Sequence, residues 1–93
     1  MVDKRALSRE VNERIRAVNA SFGVVPTTFE VICECERGDC LERLEVPSAV
    51  YDEIRSELDR FVVAPGHEGE ERVVAEDAAY RIVALPPAAA YAS

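Results

Sequence analysis

Three cysteines and the single histidine of the chain have the residue types of a metal site. Cys33, Cys35 and Cys40 form the pattern Cys-x-Cys-x4-Cys, and the histidine follows in the turn Pro65-Gly66-His67. Thiolate and imidazole groups are preferred ligands of Zn²⁺, which binds four of them in a tetrahedron. The set therefore predicts a closed zinc site of three thiolates and one imidazole, made of Cys33, Cys35, Cys40 and His67.

The fourth ligand of this site is open to alternatives, because the spacing is not that of the common zinc fingers or ribbons. If His67 does not bind, a water molecule or a nearby carboxylate completes the shell: Glu34, Glu36, Asp39 or Glu68. Four protein ligands indicate a structural ion, whereas zinc catalysis needs an open position. The sequence also does not separate zinc from iron as the metal in the cell.

A predicted hairpin positions three of the ligands. Residues 27–35 and 41–46 show the alternation of side chains that is typical of strands. Side chains two residues apart in a strand point to the same side, so Cys33 and Cys35 can reach one ion. A turn that contains glycine brings Cys40 back toward them. The tip of the hairpin therefore holds three cysteine ligands.

Two amphipathic helices flank this hairpin in the sequence. The first runs from Lys4 to about Ala20, and its apolar residues recur at helical spacing: Leu7, Val11, Ile15, Val18 and Phe22. The second begins with Pro47 in its first turn and ends near Arg60. Its apolar positions also follow a helical period: Val50, Tyr51, Ile54, Leu58 and Phe61.

Three further short strands complete the predicted elements, at residues 61–64, 72–75 and 80–85. The fold class is therefore α+β. We expect one small domain over residues 1–93, with two helices packed on a mostly antiparallel sheet of four to five short strands. Residues 1–3 and 86–93 are expected to be frayed tails.

Length and charge restrict the classes of partner. A 93-residue chain buries only about 60–65% of its unfolded surface, so a bound metal would add to a small stability margin. The formal net charge is −7; residues 1–25 carry five basic and three acidic groups, which leaves −9 for the remainder. Nucleic acids and anionic membranes bind through clustered lysine and arginine. Neither is an expected partner of this acidic chain.

The N-terminal sequence and the number of cysteines indicate the cellular compartment of the protein. Residues 1–20 are full of charges and lack the apolar run of a signal peptide, and no stretch is long enough to span a bilayer. Thiols stay reduced in the cytoplasm, where an odd number of clustered cysteines indicates metal binding or reactivity rather than disulfides. We therefore expect a cytoplasmic location.

Several short motifs occur in an order that resembles one family. These motifs are Asn12-Glu13-x-Ile15, Cys33-Glu34-Cys35, Cys40, Leu44, Tyr51-Asp52-x-Ile54-Arg55 and Phe61-x-Val63-x-Pro65-Gly66-His67. Over residues 9–83 the chain resembles a family of small uncharacterised bacterial proteins with a Cys-x-Cys-x4-Cys hairpin and a Pro-Gly-His turn. The resemblance implies that Cys33, Cys35, Cys40 and His67 belong to one site. It implies no activity.

Sequence motifs for catalysis do not accompany the metal site. The chain has no glycine-rich phosphate loop, no Gly-x-Ser-x-Gly elbow and no His-Glu-x-x-His helix. We therefore predict a small zinc-binding protein that acts as a protein-interaction or regulatory adaptor module, with another protein as its partner. The alternatives are a thiol/zinc redox sensor and a metal-dependent enzyme with an open three-cysteine site. The oligomeric state does not follow from the sequence.

Overall fold

Two helices and five strands make up the part of the protein that the computed structural model describes, which comprises residues 4–21, 23, 26–57, 59–69 and 71–85. In chain order they are α1 (Lys4–Ser21), β1 (Thr28–Ile32), β2 (Arg43–Pro47), α2 (Ser48–Arg55), β3 (Arg60–Val63), β4 (Arg72–Glu76) and β5 (Arg81–Ala84). The predicted α+β class is confirmed. The predicted frayed tails, 1–3 and 86–93, and the predicted helix positions Phe22 and Leu58 lie outside the described residues.

The strands form two antiparallel sheets, where the sequence predicts one. β1 pairs with β2, and the second sheet has the order β3-β5-β4. In the first sheet Phe29 lies opposite Val46, and Val31 lies opposite Leu44. All four side chains are buried, as the alternation along the two strands predicts. Alternation identifies the buried face of a strand, but it does not identify which strands share a sheet.

Helix α2 joins both sheets to one core. Tyr51 is buried and packs edge-to-face on Phe29, with ring centroids 5.2 Å apart. Ile54, one turn further on, belongs to the same core as Phe61 of β3 and Ile82 of β5. The apolar face of α2 thus connects the hairpin with the three-stranded sheet.

Helix α2 is shorter than its apolar period predicts. It begins at Ser48, with Pro47 as the preceding cap residue, and ends at Arg55 instead of near Arg60. Phe61 continues the helical spacing of the apolar positions, but it lies in β3 opposite Val83, in agreement with the strand predicted at residues 61–64. Pairing with β5 satisfies the backbone of Phe61, and this tertiary contact overrides the continued helical spacing.

Helix α1 packs through its polar face. Its buried residues are Arg5, Ser8 and Asn12, whereas Leu7 is 48% exposed and Val18 is 52% exposed. An amphipathic helix ordinarily packs through its apolar stripe. Here the helix is rotated, so that Ile15 of the apolar stripe packs against the core beside Arg5 and Asn12. These two have hydrogen-bond partners inside the protein, which a buried polar side chain requires.

Candidate metal centre

The four residues predicted to bind metal lie together. One ligand atom from each of Cys33, Cys35, Cys40 and His67 is within 4.8 Å of all the others. The Nδ1 atom of His67 is 3.5 Å from the sulfur of Cys40 and 3.7 Å from the sulfur of Cys33. A tetrahedral zinc ion with ordinary bond lengths separates a sulfur from a nitrogen ligand by about 3.5 Å, and two sulfurs by about 3.8 Å. The cluster therefore has the size of a site for one ion.

The hairpin holds two of the cysteines through its backbone. The Cys33 N–H donates to the carbonyl of Glu42 at 2.8 Å, which continues the pairing of β1 with β2 toward the tip. The Cys40 N–H donates to the carbonyl of Arg37 at 3.1 Å and closes the turn between the cysteines. Cys33 and Cys35 are fully buried and Cys40 is nearly so. The predicted placement of three cysteines at the tip of a hairpin agrees with this geometry.

The turn after β3 carries His67 to the cysteines. The His67 N–H donates to the carbonyl of Ala64 at 2.9 Å, and Gly66 has φ +87°, a backbone conformation that glycine adopts without strain. The Ala64 N–H donates to the sulfur of Cys33 at 3.2 Å. This bond ties the turn to the hairpin, so the cluster draws its residues from the ends of both sheets.

The second ring nitrogen of His67 faces a carboxylate. Its Nε2 atom lies 3.2 Å from Oε2 of Glu42. Histidine ligands of metals usually donate their other N–H to such a group, which fixes the ring and its tautomer. An N–H on Nε2 leaves the lone pair of Nδ1 directed at the thiols. Sequence reasoning missed Glu42, although its position two residues beyond Cys40 is a signal that could have identified it.

The thiols differ in their affinity for a proton. Burial raises the pKa of Cys33 to about 12. Burial acts in the same direction on Cys35, but hydrogen bonds from the Arg37 N–H and from the other members of the cluster outweigh it and lower the pKa of Cys35 to about 7. The ammonium of Lys4 is 3.8 Å from the sulfur of Cys35 and donates to the carbonyl of Cys33 at 2.7 Å. A positive charge at the sulfurs stabilises the thiolate form that a metal requires.

The carboxylates considered as alternative ligands have other contacts. Glu36 lies 3.5 Å from a guanidinium nitrogen of Arg5, and Glu68 accepts a hydrogen bond from the Gly66 N–H at 3.0 Å. Among the described residues, neither these two nor Glu34 nor Asp39 belongs to the cluster that could hold an ion. The geometry therefore favours His67 as the fourth ligand.

Glu34, one of the alternative ligands considered from the sequence, instead belongs to a buried polar cluster next to the cysteines. Its carboxylate is fully buried and accepts hydrogen bonds from Arg55 at 3.0 Å, from the Val62 N–H at 3.1 Å and from Asn12 at 2.8 Å. The Asn12 amide also pairs with both backbone groups of Ile32, each at 2.8 Å. The sequence signal that could have indicated this cluster is a glutamate between two cysteines together with an asparagine on the preceding helix.

The arrangement can close a metal ion on all sides. Four protein donors converge, and the His67 side chain, 19% exposed, is the only one of them that is not buried. A shell of this kind stabilises structure, because a catalytic zinc keeps one position for water or substrate.

Comparison of the chain with protein-family models, with curated proteins and with solved structures finds no match. Membership of the family with a Cys-x-Cys-x4-Cys hairpin and a Pro-Gly-His turn thus stays a prediction. Within the described part of the chain, neither helix combines the length and the apolar character needed to cross a bilayer.

Proposed function

We propose that the protein is a small zinc-binding interaction module in which Cys33, Cys35, Cys40 and His67 hold one structural Zn²⁺. The observation that carries the proposal is the convergence of three sulfurs and the Nδ1 of His67 within 4.8 Å of one another. Thiolate-rich sets with one imidazole are typical of zinc, although iron also binds thiolates. The contact between Glu42 and the far side of the imidazole ring supports metal binding independently of the thiols.

The structural role follows from the position of the ligands. Three come from the tip of the β1-β2 hairpin and one from the turn after β3, so an ion would tie the two sheets together. Zn²⁺ with three thiolates and a neutral imidazole has a net charge of −1, and the Lys4 ammonium is placed to balance it. Binding free energy at such a site adds to folding free energy, because the unfolded chain has no preformed site.

The biological role that fits this design is that of a cytoplasmic adaptor, with another protein as its partner and no catalytic step. The reducing cytoplasm keeps three free thiols available for metal. A redox sensor is the second candidate, and the lowered pKa of Cys35 favours it. The complete burial of Cys33 and Cys35 argues against it, since oxidation selects accessible thiolates.

Elemental analysis of protein purified under reducing conditions without added metal tests the proposal. We expect about one zinc per chain. Replacing His67 with alanine should lower the affinity for zinc and the melting temperature, since the shell then lacks a protein ligand. Glu45→Ala is the control, because Glu45 is exposed on β2 of the hairpin and lies outside the cluster. Cobalt substitution provides an independent readout, since tetrahedral thiolate coordination gives characteristic visible and charge-transfer bands.

Two results would contradict the proposal. One is protein that folds with the same melting temperature after complete removal of metal by a chelator. The other is a Cys35→Ser variant that retains the metal content and the thermal stability of the parent. Iron in place of zinc would change the identity of the ion but not the site.

A further inference from the structure

In the part of the chain that the structure describes, one side of α1 carries apolar side chains that are exposed or half-buried. We define the apolar face of α1 as Leu7, Val11, Ile15 and Val18. Leu7 and Val18 are exposed, and Val11 and Ile15 are half-buried. The buried residues of α1, Arg5, Ser8 and Asn12, lie on the neighbouring face, and Ile15 at the border between the two faces packs against the core. Leu7 and Val18 thus mark the two ends of a partly exposed apolar stripe, and a contiguous stripe of this kind can serve as a contact surface.

This surface continues from the helix onto the first sheet. Two adjoining depressions, of about 310 Å³ and 370 Å³, share Ile15 and Asn19 in their walls. The first follows α1, and the second extends along β1, where its walls include Phe29, Val31 and Ile32. Together they form a shallow groove beside the apolar face of α1.

The charges around the groove are balanced in pairs. On the helix side Arg14 contacts Glu10 at 2.9 Å, and on the sheet side Arg43 contacts Glu30 at 3.5 Å. All four side chains are largely exposed. The surface is therefore locally neutral in a protein with a net charge of −7. Two copies of an acidic chain can meet at this neutral surface without opposing like charges.

We propose that the apolar face of α1 binds the same face of a second copy, with the two helices antiparallel about a two-fold axis near the middle of α1. In that arrangement Leu7 lies near Val18 of the partner subunit, and Val18 lies near the partner's Leu7. Glu10 comes next to the partner's Arg14 in the same way, so the exposed ion pair is exchanged between the subunits. An isologous contact requires this self-complementarity.

The size of the surface limits the strength of the dimer. With 18 residues α1 is about 27 Å long. A stable interface of standard size buries about 800 Å² on each partner, which is more than a tenth of the 5949 Å² surface of this protein. The contact proposed here is confined to one helix face with the adjoining groove. We therefore expect a reversible dimer whose population depends on protein concentration.

Sedimentation velocity of the metal-loaded chain over micromolar to near-millimolar concentrations tests the proposal. The mass should rise from the monomer value of 10.3 kDa toward twice that value. Val18→Lys should keep the protein monomeric throughout the range. Val74→Lys is the control, because Val74 is an exposed valine on β4 in the other sheet and should leave dimer formation unchanged.

Charge reversal tests the antiparallel arrangement itself. Glu10→Arg and Arg14→Glu should each weaken dimer formation, since like charges then meet across the axis. The double variant restores opposite charges and should recover the parent's association. A monomer at the highest concentration, or a dimer lost in Val74→Lys but not in Val18→Lys, would overturn the proposal. Failure of the double variant to recover association would also overturn it. Zinc content is measured on the same samples, so failure of the metal site is recognised separately.

Discussion

Replacing Asn12 with alanine tests how the polar face of α1 is held against the protein. The Asn12 side chain is fully buried. Its Nδ2 group donates to the carbonyl of Ile32 and to the carboxylate of Glu34, and its Oδ1 atom accepts the Ile32 N–H, each at 2.8 Å. The Asn12 amide thus makes the two hydrogen bonds to the Ile32 backbone that a neighbouring strand would otherwise make. Alanine removes all three hydrogen bonds without adding bulk.

The expected loss follows from the groups that are left behind. A buried polar group without its partner costs about 1–3 kcal/mol. Ile32 is only half-buried, so water can partly satisfy its backbone, and Glu34 keeps the donors from Arg55 and Val62. We therefore expect a loss of about 2–4 kcal/mol in the free energy of unfolding. A domain of 93 residues has a total stability of about 5–14 kcal/mol, so the variant should unfold far more easily than the parent.

Urea unfolding of the metal-loaded protein, followed by circular dichroism, measures this loss. Asn19→Ala is the matched control, because Asn19 is a half-buried residue on the same helix and gains the same helix propensity on becoming alanine. The difference between the two variants isolates the buried hydrogen bonds. A difference below about 1 kcal/mol would refute the reasoning, since it is within the range of one ordinary hydrogen bond.

Three further predictions concern the metal site and the helix contact. Glu42→Gln should weaken zinc binding about tenfold while the fold persists, and chelator competition measures this. Glu45 lies on the exposed side of the same hairpin, so Glu45→Gln should have no effect on zinc binding. The raised pKa of Cys33 keeps that thiol protonated in neutral solution, so zinc binding must displace its proton. Zinc affinity should therefore rise about tenfold per pH unit for each proton displaced. Chelator competition at several pH values measures this, and an affinity independent of pH would refute it. Arg16 donates two hydrogen bonds to Asp52 and lowers the pKa of that carboxyl. The pair stabilises the fold fully at pH values above the pKa of Asp52 in the unfolded chain, about 3.9, and this effect is lost as the pH falls through the lower pKa of Asp52 in the folded protein. Arg16→Ala should therefore cost about 0.5–1 kcal/mol of unfolding free energy in neutral solution and little in strong acid. Urea unfolding at both pH values checks the sign.

The hairpin and the grouping of its three cysteines could be predicted because both depend on short-range order. The period of two along β1 places Phe29 and Val31 on the buried face, and the same period carries on to Cys33 and Cys35 beyond the end of the strand. The chemistry of thiols and one imidazole then limits the candidates to a few residues. The position of His67 next to the cysteines could not be predicted from spacing, because it depends on how the three-stranded sheet packs against the hairpin.

The orientation of α1 was not predictable from its period. A helical pattern shows where the apolar side chains are, but packing is decided by what both faces of the helix can contact. Leu7 and Val18 remain exposed because Arg5 and Asn12 find partners in backbone groups of β1 and of the segment after it. These partners are 29 and 20 residues away along the chain, and no local pattern contains them. The early end of α2 at Arg55 has the same origin, since the pairing of β3 with β5 determines it.

Residues 33–35 couple the stability of the metal site to the stability of the fold. Along this segment the cysteine side chains point to the ligand cluster, and the side chain between them points to Asn12 and Arg55. The Glu34 N–H also donates to the carbonyl of Val62 at 2.8 Å, which joins the hairpin to β3. An ion that fixes the two cysteines therefore fixes the carboxylate as well, and through it the contacts of both helices. Because the core of so small a protein is shared between two sheets, metal removal should loosen the attachment of α1 first. Hydrogen exchange that rises in α1 before it rises in β5 after chelation would bear this out, and uniform exchange would contradict it.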